Sequence, residues 1–99
     1  MAKRRKFSSE PFGRAIERLM NESGMTYRGL AAKTELSAGY LNHLVHGNRP
    51  VPSNLVIDRV ASALDIEPDH FLEYRMRVIA ESLAERPDIV DRLYRRLSA

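Results

Sequence analysis

The chain has 99 residues, 43% of them hydrophobic, which is enough for one small domain with a modest core. It carries 16 Lys and Arg against 13 Asp and Glu, a net charge of +3, and no cysteine, which excludes disulfides and thiolate metal sites. No apolar run approaches the roughly 20 residues of a membrane span, and no signal-peptide core follows the basic N-terminus. We therefore expect a protein of the reducing cytoplasm.

The positive charge is concentrated in the first two thirds of the chain. Residues 1–64 hold ten Lys and Arg and five Asp and Glu, whereas residues 65–99 hold six and eight. A basic front and a mildly acidic back favour a protein that binds a polyanion on one side.

Residues 1–10 form a basic arm, in which Lys3, Arg4, Arg5 and Lys6 stand together without an apolar partner before Phe7. We expect this arm to be flexible when free. It suits neutralising phosphates or entering a minor groove, and a solvated tail is the alternative.

The next segment predicts two helices. The first runs from about Pro11 to Ser23, is ended by Gly24, and has an apolar stripe of the core type. The second runs from Tyr27 to Thr34, with Thr26 as N-cap and free amides that suit an anion. The stripe of the first helix consists of Phe12, Ile16, Leu19 and Met20.

A short third helix follows after a tight turn. It runs from about Ala38 to Val45, with Ser37 as N-cap and Gly47 as stop. Helices under about 12 residues are marginal in water, so this one must pack on its neighbours and leave its polar side outward. That side is slim and free of carboxylates, which suits the major groove of DNA. It carries Ala38, Gly39, Asn42, His43 and His46.

Beyond the third helix, His46, Asn48 and Arg49 predict a loop that contacts phosphate, stiffened by two prolines. Ser53 caps a fourth helix that ends near Leu64, and Asn54 at its start is another candidate for phosphate. The inward residues of this helix are Ile57, Val60, Ala61 and Leu64.

A fifth helix is expected from Pro68 to Glu85, with Phe71 and Leu72 closing the core, and a last helix follows the break at Arg86–Asp88. The apolar stripe of this tail must be covered, either by a homodimer partner or by packing back onto the fifth helix. The candidate interface residues are Val78, Ile79, Leu83, Ile89, Val90, Leu93, Tyr94 and Leu97.

One run of residues resembles the helix-turn-helix of the lambda-repressor-like (Xre/Cro) DNA-binding family. It comprises Leu30-Ala31, Ser37, Tyr40-Leu41, Gly47 and Pro52, within a resemblance that covers about residues 12–72. The resemblance implies an all-α fold, with a compact five-helix helix-turn-helix domain at residues 11–74. The long fifth helix and an additional C-terminal helix then form an extension over residues 75–99.

The resemblance places the third helix, about residues 38–45, in the major groove as the recognition helix. His43 is the best candidate for base contact, and Asn42 either pairs with adenine or is solvated. The base-contact candidates are Ser37, Ala38, Gly39, Asn42 and His43. The phosphate-contact candidates are Lys3, Arg4, Arg5, Lys6, Thr26, Tyr27, Arg28, Lys33, Tyr40, His46, Asn48, Arg49 and Asn54.

The chain departs from the family pattern at two places. Glu35 stands where relatives have a turn glycine, and a left-handed conformation there costs about 1–3 kcal/mol. Met20 and Val45 stand where many relatives have an arginine and a glutamate, and we expect these apolar replacements to touch.

The sequence thus predicts a double-stranded DNA-binding transcriptional regulator, a cytoplasmic, nucleoid-associated homodimer without a membrane segment. Repression is favoured over activation on family grounds alone. An antitoxin or a protein-interaction adaptor with the same fold is the alternative. An enzyme lacks motif support, and we expect no cofactor and no metal, since His43 and His46 have no third ligand nearby.

Overall fold

The computed structural model describes residues 6–99, which form six α-helices and one 3-10 turn. The second and third helices have the predicted bounds, and the first begins one residue later because Pro11 is its N-cap. The elements are α1 (Phe12–Ser23), α2 (Tyr27–Thr34), α3 (Ala38–Val45), α4 (Asn54–Ala63), the 3-10 turn (Pro68–His70), α5 (Leu72–Ala84) and α6 (Pro87–Ser98).

Hydroxyl side chains begin three of these helices, as predicted. Thr26, Ser37 and Ser53 each accept a hydrogen bond from the backbone amide three residues on, at 3.0, 3.0 and 3.4 Å. Each bond satisfies one of the amides that a helix N-terminus leaves unpaired, so these caps fix where α2, α3 and α4 start.

One buried cluster holds the first four helices together. In it α1 and α2 both pack on α3, and α2 also packs on α4. Met20 and Val45 belong to this same cluster. Its members are Phe12, Ala15, Ile16, Leu19, Met20, Leu30, Leu41, Leu44, Val45, Ile57, Val60, Ala61, Ile66 and Phe71.

The prediction of one continuous helix from Pro68 to Glu85 is wrong at its start. Pro68–His70 form a 3-10 turn, Phe71 is extended (φ −85°, ψ 131°), and α5 begins only at Leu72. The Phe71 ring is fully buried and meets Phe12 edge-on, with the ring centroids 4.8 Å apart. The break in the helix accompanies this burial of an aromatic side chain, and such a ring pair contributes about 0.5–1.5 kcal/mol beyond the area that it buries.

The last two helices contribute no fully buried residue to the fold, and α6 packs mainly against α5. The Cα radius of gyration is 15.4 Å, whereas a compact domain of this length has about 13 Å. The described part of the chain is therefore elongated, at 46 × 30 × 21 Å. Between residues 6 and 99, every helix is too short or too polar to cross a membrane.

Candidate nucleic-acid interface

The recognition helix α3 has one buried side and one exposed side. Successive residues turn by 100°, which places Gly39, His43 and His46 opposite the core, and all three are exposed. Asn42 is exposed at one flank of this side, and Tyr40 is half-buried against the core at the other. The buried side consists of Leu41, Leu44 and Val45.

A Schellman motif ends α3 and sets the direction of the loop that follows. Gly47 is left-handed (φ 73°), and its amide donates to the carbonyl of Leu44 at 3.2 Å. The amide of Asn48 donates to the carbonyl of His43 at 2.9 Å. Because these bonds turn the chain back, the loop leaves α3 beside the turn that carries His43.

The backbone of α3 also orients His46. The ring Nδ1 lies 2.8 Å from the carbonyl oxygen of Asn42, and since a carbonyl can only accept, Nδ1 carries the proton. Nε2 is then the nitrogen left for a ligand. It accepts a hydrogen bond in the neutral ring and donates one, for example to a phosphate, in the cation.

The stretch that contains α3 and the following loop has no negative side chain. From Leu36 to Ile57 the sequence contains neither Asp nor Glu. Arg49 is exposed in the loop, and Arg14 of α1 lines the same shallow concavity between the loop and the start of α1. Arg14 and Arg49 therefore lie together beside the C-terminal end of α3, in a concavity that Glu73 also lines.

Other phosphate candidates lie at the two ends of α2. Thr26 and Tyr27 border a depression at its start, which Glu17 of α1 also lines. Lys33 lies near its end, about 9 Å along the axis from Tyr27. There it lines a separate concavity together with Glu35, Asp58, Arg59 and Asp65. The structure thus brings Lys33 to a mixed-charge surface rather than beside Arg49.

The remaining phosphate-contact candidates on helices are Arg28, which is exposed, and Asn54, which is half-buried. Asn54 is the first residue of α4, and its Oδ1 accepts a hydrogen bond from Arg77 of α5 at 3.2 Å.

The basic arm is described only from Lys6. The Lys6 carbonyl accepts from Nδ1 of His70 at 2.8 Å, and the Ser8 amide donates to the His70 carbonyl at 2.9 Å. Arg75 donates to the Ser8 carbonyl at 2.8 Å and lies 4.4 Å from the centroid of the Phe7 ring. Residues 6–8 are therefore held at the 3-10 turn. Three candidates of the arm, Lys3, Arg4 and Arg5, lie outside the described residues.

Three residues that shape this interface have no counterpart among the sequence-derived candidates. They are Gly13, whose missing side chain lets α1 approach the end of α3, and Glu73 and Arg77, which reach from α5 to the start of α1 and to the loop. A glycine within a helix was the one local signal, since glycine there needs a packing reason. Glu73 and Arg77 contact residues far away in the sequence, so no local pattern could identify them.

Two short helices joined by a three-residue turn, with the second presenting a polar side free of carboxylates, define a helix-turn-helix DNA-binding domain. A family model described as a helix-turn-helix domain matches residues 11–73, well over half of the chain. The chain belongs to this family, in agreement with the lambda-repressor-like resemblance of its sequence. Comparison with curated proteins and with solved structures gives no match.

Proposed function

We propose that this protein is a transcriptional regulator of the Xre type, without enzymatic activity, that binds double-stranded DNA with α3 in the major groove. The observation that carries the proposal is the outward side of α3, where Gly39, His43 and His46 are exposed and the flanking loop has no carboxylate. A polar, uncharged or cationic helix surface of this width fits the groove, and Arg14 and Arg49, which line one concavity at the end of α3, are candidates for phosphate contact.

Within this proposal, His43 and Asn42 contact bases and the loop contacts the backbone. The protein acts in the cytoplasm on nucleoid DNA, as a homodimer whose two recognition helices meet successive major grooves about 34 Å apart. Occupation of an operator then represses transcription, which family resemblance favours over activation.

A salt titration of DNA binding tests the proposal. We expect the affinity for a duplex to fall steeply with salt, with a slope of about −0.9 for each phosphate contacted. A selection of bound sequences from random duplexes should yield a preferred site, and His43→Ala should weaken that preference by about 1–3 kcal/mol at one base pair. An absence of duplex binding at low salt would overturn the proposal.

The exposed apolar residues of α6 support one alternative, in which the same fold serves a protein partner as an antitoxin or adaptor. Val90, Leu93, Tyr94 and Leu97 are 38–83% exposed, and such a surface favours a protein partner. An adaptor that does not read DNA predicts no response to DNA in the same titration. An antitoxin that binds its own operator predicts DNA binding together with a complex of unlike chains.

A further inference from the structure

We infer that Arg77 is a positioning residue for the DNA-facing loop between α3 and α4, so that the reading domain depends on the C-terminal extension for its interface. The inference rests on the proposed function. It concerns a residue of α5 that lies four positions beyond the segment matched by the helix-turn-helix family.

The contacts of Arg77 converge on the end of this loop. Nη2 donates to the carbonyl of Val51 at 3.0 Å, and Nη1 donates to the carbonyl of Pro52 and to Oδ1 of Asn54, the latter at 3.2 Å. One planar guanidinium thus joins three acceptors that span four consecutive residues. Lysine has a single donor atom and cannot reproduce this fork.

The loop needs such a contact because it has little internal structure of its own. The Schellman bonds hold it as far as Asn48, and the Ser53 cap begins α4. Pro50 and Pro52 lie between these two points and have no amide to donate. Val51 and Pro52 are half-buried, so their carbonyls require donors from the protein or from water. Arg77 supplies those donors from another helix.

Two interface candidates depend on this arrangement. Arg49 lies between the Schellman turn and the segment that Arg77 holds, so the path of the loop determines where its guanidinium reaches. Asn54 accepts from Arg77 through Oδ1, and because arginine can only donate, the amide group of Asn54 is turned so that Nδ2 remains as its donor. A donor at the start of α4 is what a phosphate contact needs.

Substitution in the full-length chain separates positioning from charge. Arg77→Met removes the charge and the fork, and Arg77→Lys keeps the charge but not the fork. Arg95→Met is the control, because it removes one charge from an exposed position on α6. For each variant, duplex affinity is measured from low to high salt, and amide hydrogen exchange is measured on the free protein.

We expect both Arg77 variants to bind DNA about tenfold more weakly and to lose about one unit of salt slope, the effect of one lost phosphate contact. Arg95→Met should stay within about twofold of the parent chain, since it alters only long-range electrostatics. In the free protein, the hydrogen-bonded amides at the two ends of the loop, those of Asn48, Val56 and Ile57, should exchange faster in both Arg77 variants, while those of α1 stay unchanged.

Three results would overturn the inference. Arg77→Lys with the affinity and slope of the parent chain would mean that only charge matters. Equal losses of DNA affinity in Arg77→Met and Arg95→Met would also mean that only the charge of Arg77 matters. Unchanged loop exchange in both Arg77 variants would remove the bracing role whether or not the protein binds DNA. Failure of the proposed function is recognised separately, because the parent chain itself then fails to bind the duplex.

Discussion

At the scale of single residues, Glu35 stands out because its backbone is left-handed, with a φ of 62°. A side chain in this conformation costs roughly 1–2 kcal/mol, because Cβ crowds the following carbonyl oxygen. Among residues 6–99, the side chain of Glu35 gains only an ion pair with Arg59 at 3.4 Å, and it is 84% exposed. Exposed pairs contribute about 0–1 kcal/mol, so the turn of the helix-turn-helix is held by its neighbours and not by Glu35.

We therefore expect Glu35→Gly to raise the free energy of unfolding by about 0.5–1 kcal/mol. The gain is less than the full strain, because glycine also increases the entropy of the unfolded chain. Urea denaturation measures it. The control Glu35→Ala removes the ion pair but keeps the strained backbone, and should be neutral or slightly destabilising. If Glu35→Gly is no more stable than Glu35→Ala, the backbone at residue 35 is not strained by a side chain.

Replacing two helical glycines, Gly13 and Gly39, with alanine should change the stability of the protein in opposite directions. A Cβ at Gly13 would lie 2.4 Å from the carbonyl oxygen of Leu44 and 2.7 Å from that of Val45, whereas a Cβ at Gly39 meets nothing within 4 Å. Alanine normally stabilises a helix interior by about 0.5–1 kcal/mol relative to glycine, which we expect for Gly39→Ala. Gly13→Ala should instead cost about 1–3 kcal/mol, because α1 must move away from the end of α3.

Thermal or urea unfolding of the two alanine variants measures the expected gain in stability for Gly39→Ala and the expected loss for Gly13→Ala. A stabilised Gly13→Ala chain would show that α1 and α3 are not in such close contact. A change of DNA affinity in the folded Gly39→Ala variant would place that position against the duplex, since the added Cβ meets nothing within 4 Å in the protein.

At the scale of elements, α5 holds the start of α1. Pro11 provides no side-chain cap, and the amide of Phe12 donates to Oε2 of Glu73 at 3.0 Å. A carboxylate at a helix N-terminus accepts from its free amide and opposes the positive end of the helix dipole. Glu73 thus serves as a cap supplied from 61 residues away in the chain.

Glu73→Ala should lower the free energy of unfolding by about 1–2 kcal/mol, because it removes both the hydrogen bond and the favourable charge. Glu73→Gln keeps an oxygen for the Phe12 amide and should lose less. Urea denaturation measures these changes in the free energy of unfolding, and hydrogen exchange of the Phe12 amide tests whether they arise at the start of α1. Equal losses in the two variants would mean that the charge, not the hydrogen bond, stabilises the start of α1.

The elements that the sequence predicts well are those decided by neighbouring residues. The caps at Thr26 and Ser37 and the apolar spacing between them determine the bounds of α2 and α3, and each lies within a few residues of its effect. The start of α5 was missed because burial of Phe71 against Phe12 depends on distant chain. The same holds for the candidate site, where α3 follows from its pattern and the contacts of Gly13, Glu73 and Arg77 follow from the fold.

At the scale of the whole molecule, the C-terminal extension leaves an apolar surface in solvent. Leu93 and Leu97 of α6 are 38% and 83% exposed, and Ile79 of α5 is 55% exposed. Packing of α6 against α5 leaves Leu83 and Ile89 half-buried, so it covers the stripe only in part. We propose that a homodimer partner covers the residues that remain exposed.

A homodimer would also raise the DNA affinity that so small an interface can reach. One recognition helix of two turns offers few base contacts, and linking two readers raises the overall affinity by about 10²–10⁴ without any new contact. The double variant Leu93→Gln and Leu97→Gln should therefore be a monomer that binds a two-site duplex at least about tenfold more weakly. Its affinity for a single half-site should not change, because α6 lies outside the reading surface.

Sedimentation equilibrium with and without DNA measures the association state. Leu55→Gln is the matched control for sedimentation, since it makes the same change at an exposed leucine of α4 (80% exposed) and should leave a dimer intact. A parent chain that sediments as a monomer, both free and on a two-site duplex, would contradict the homodimer. The stripe on α6 would then have to be covered by a different chain, and the antitoxin alternative would gain the support that the homodimer loses.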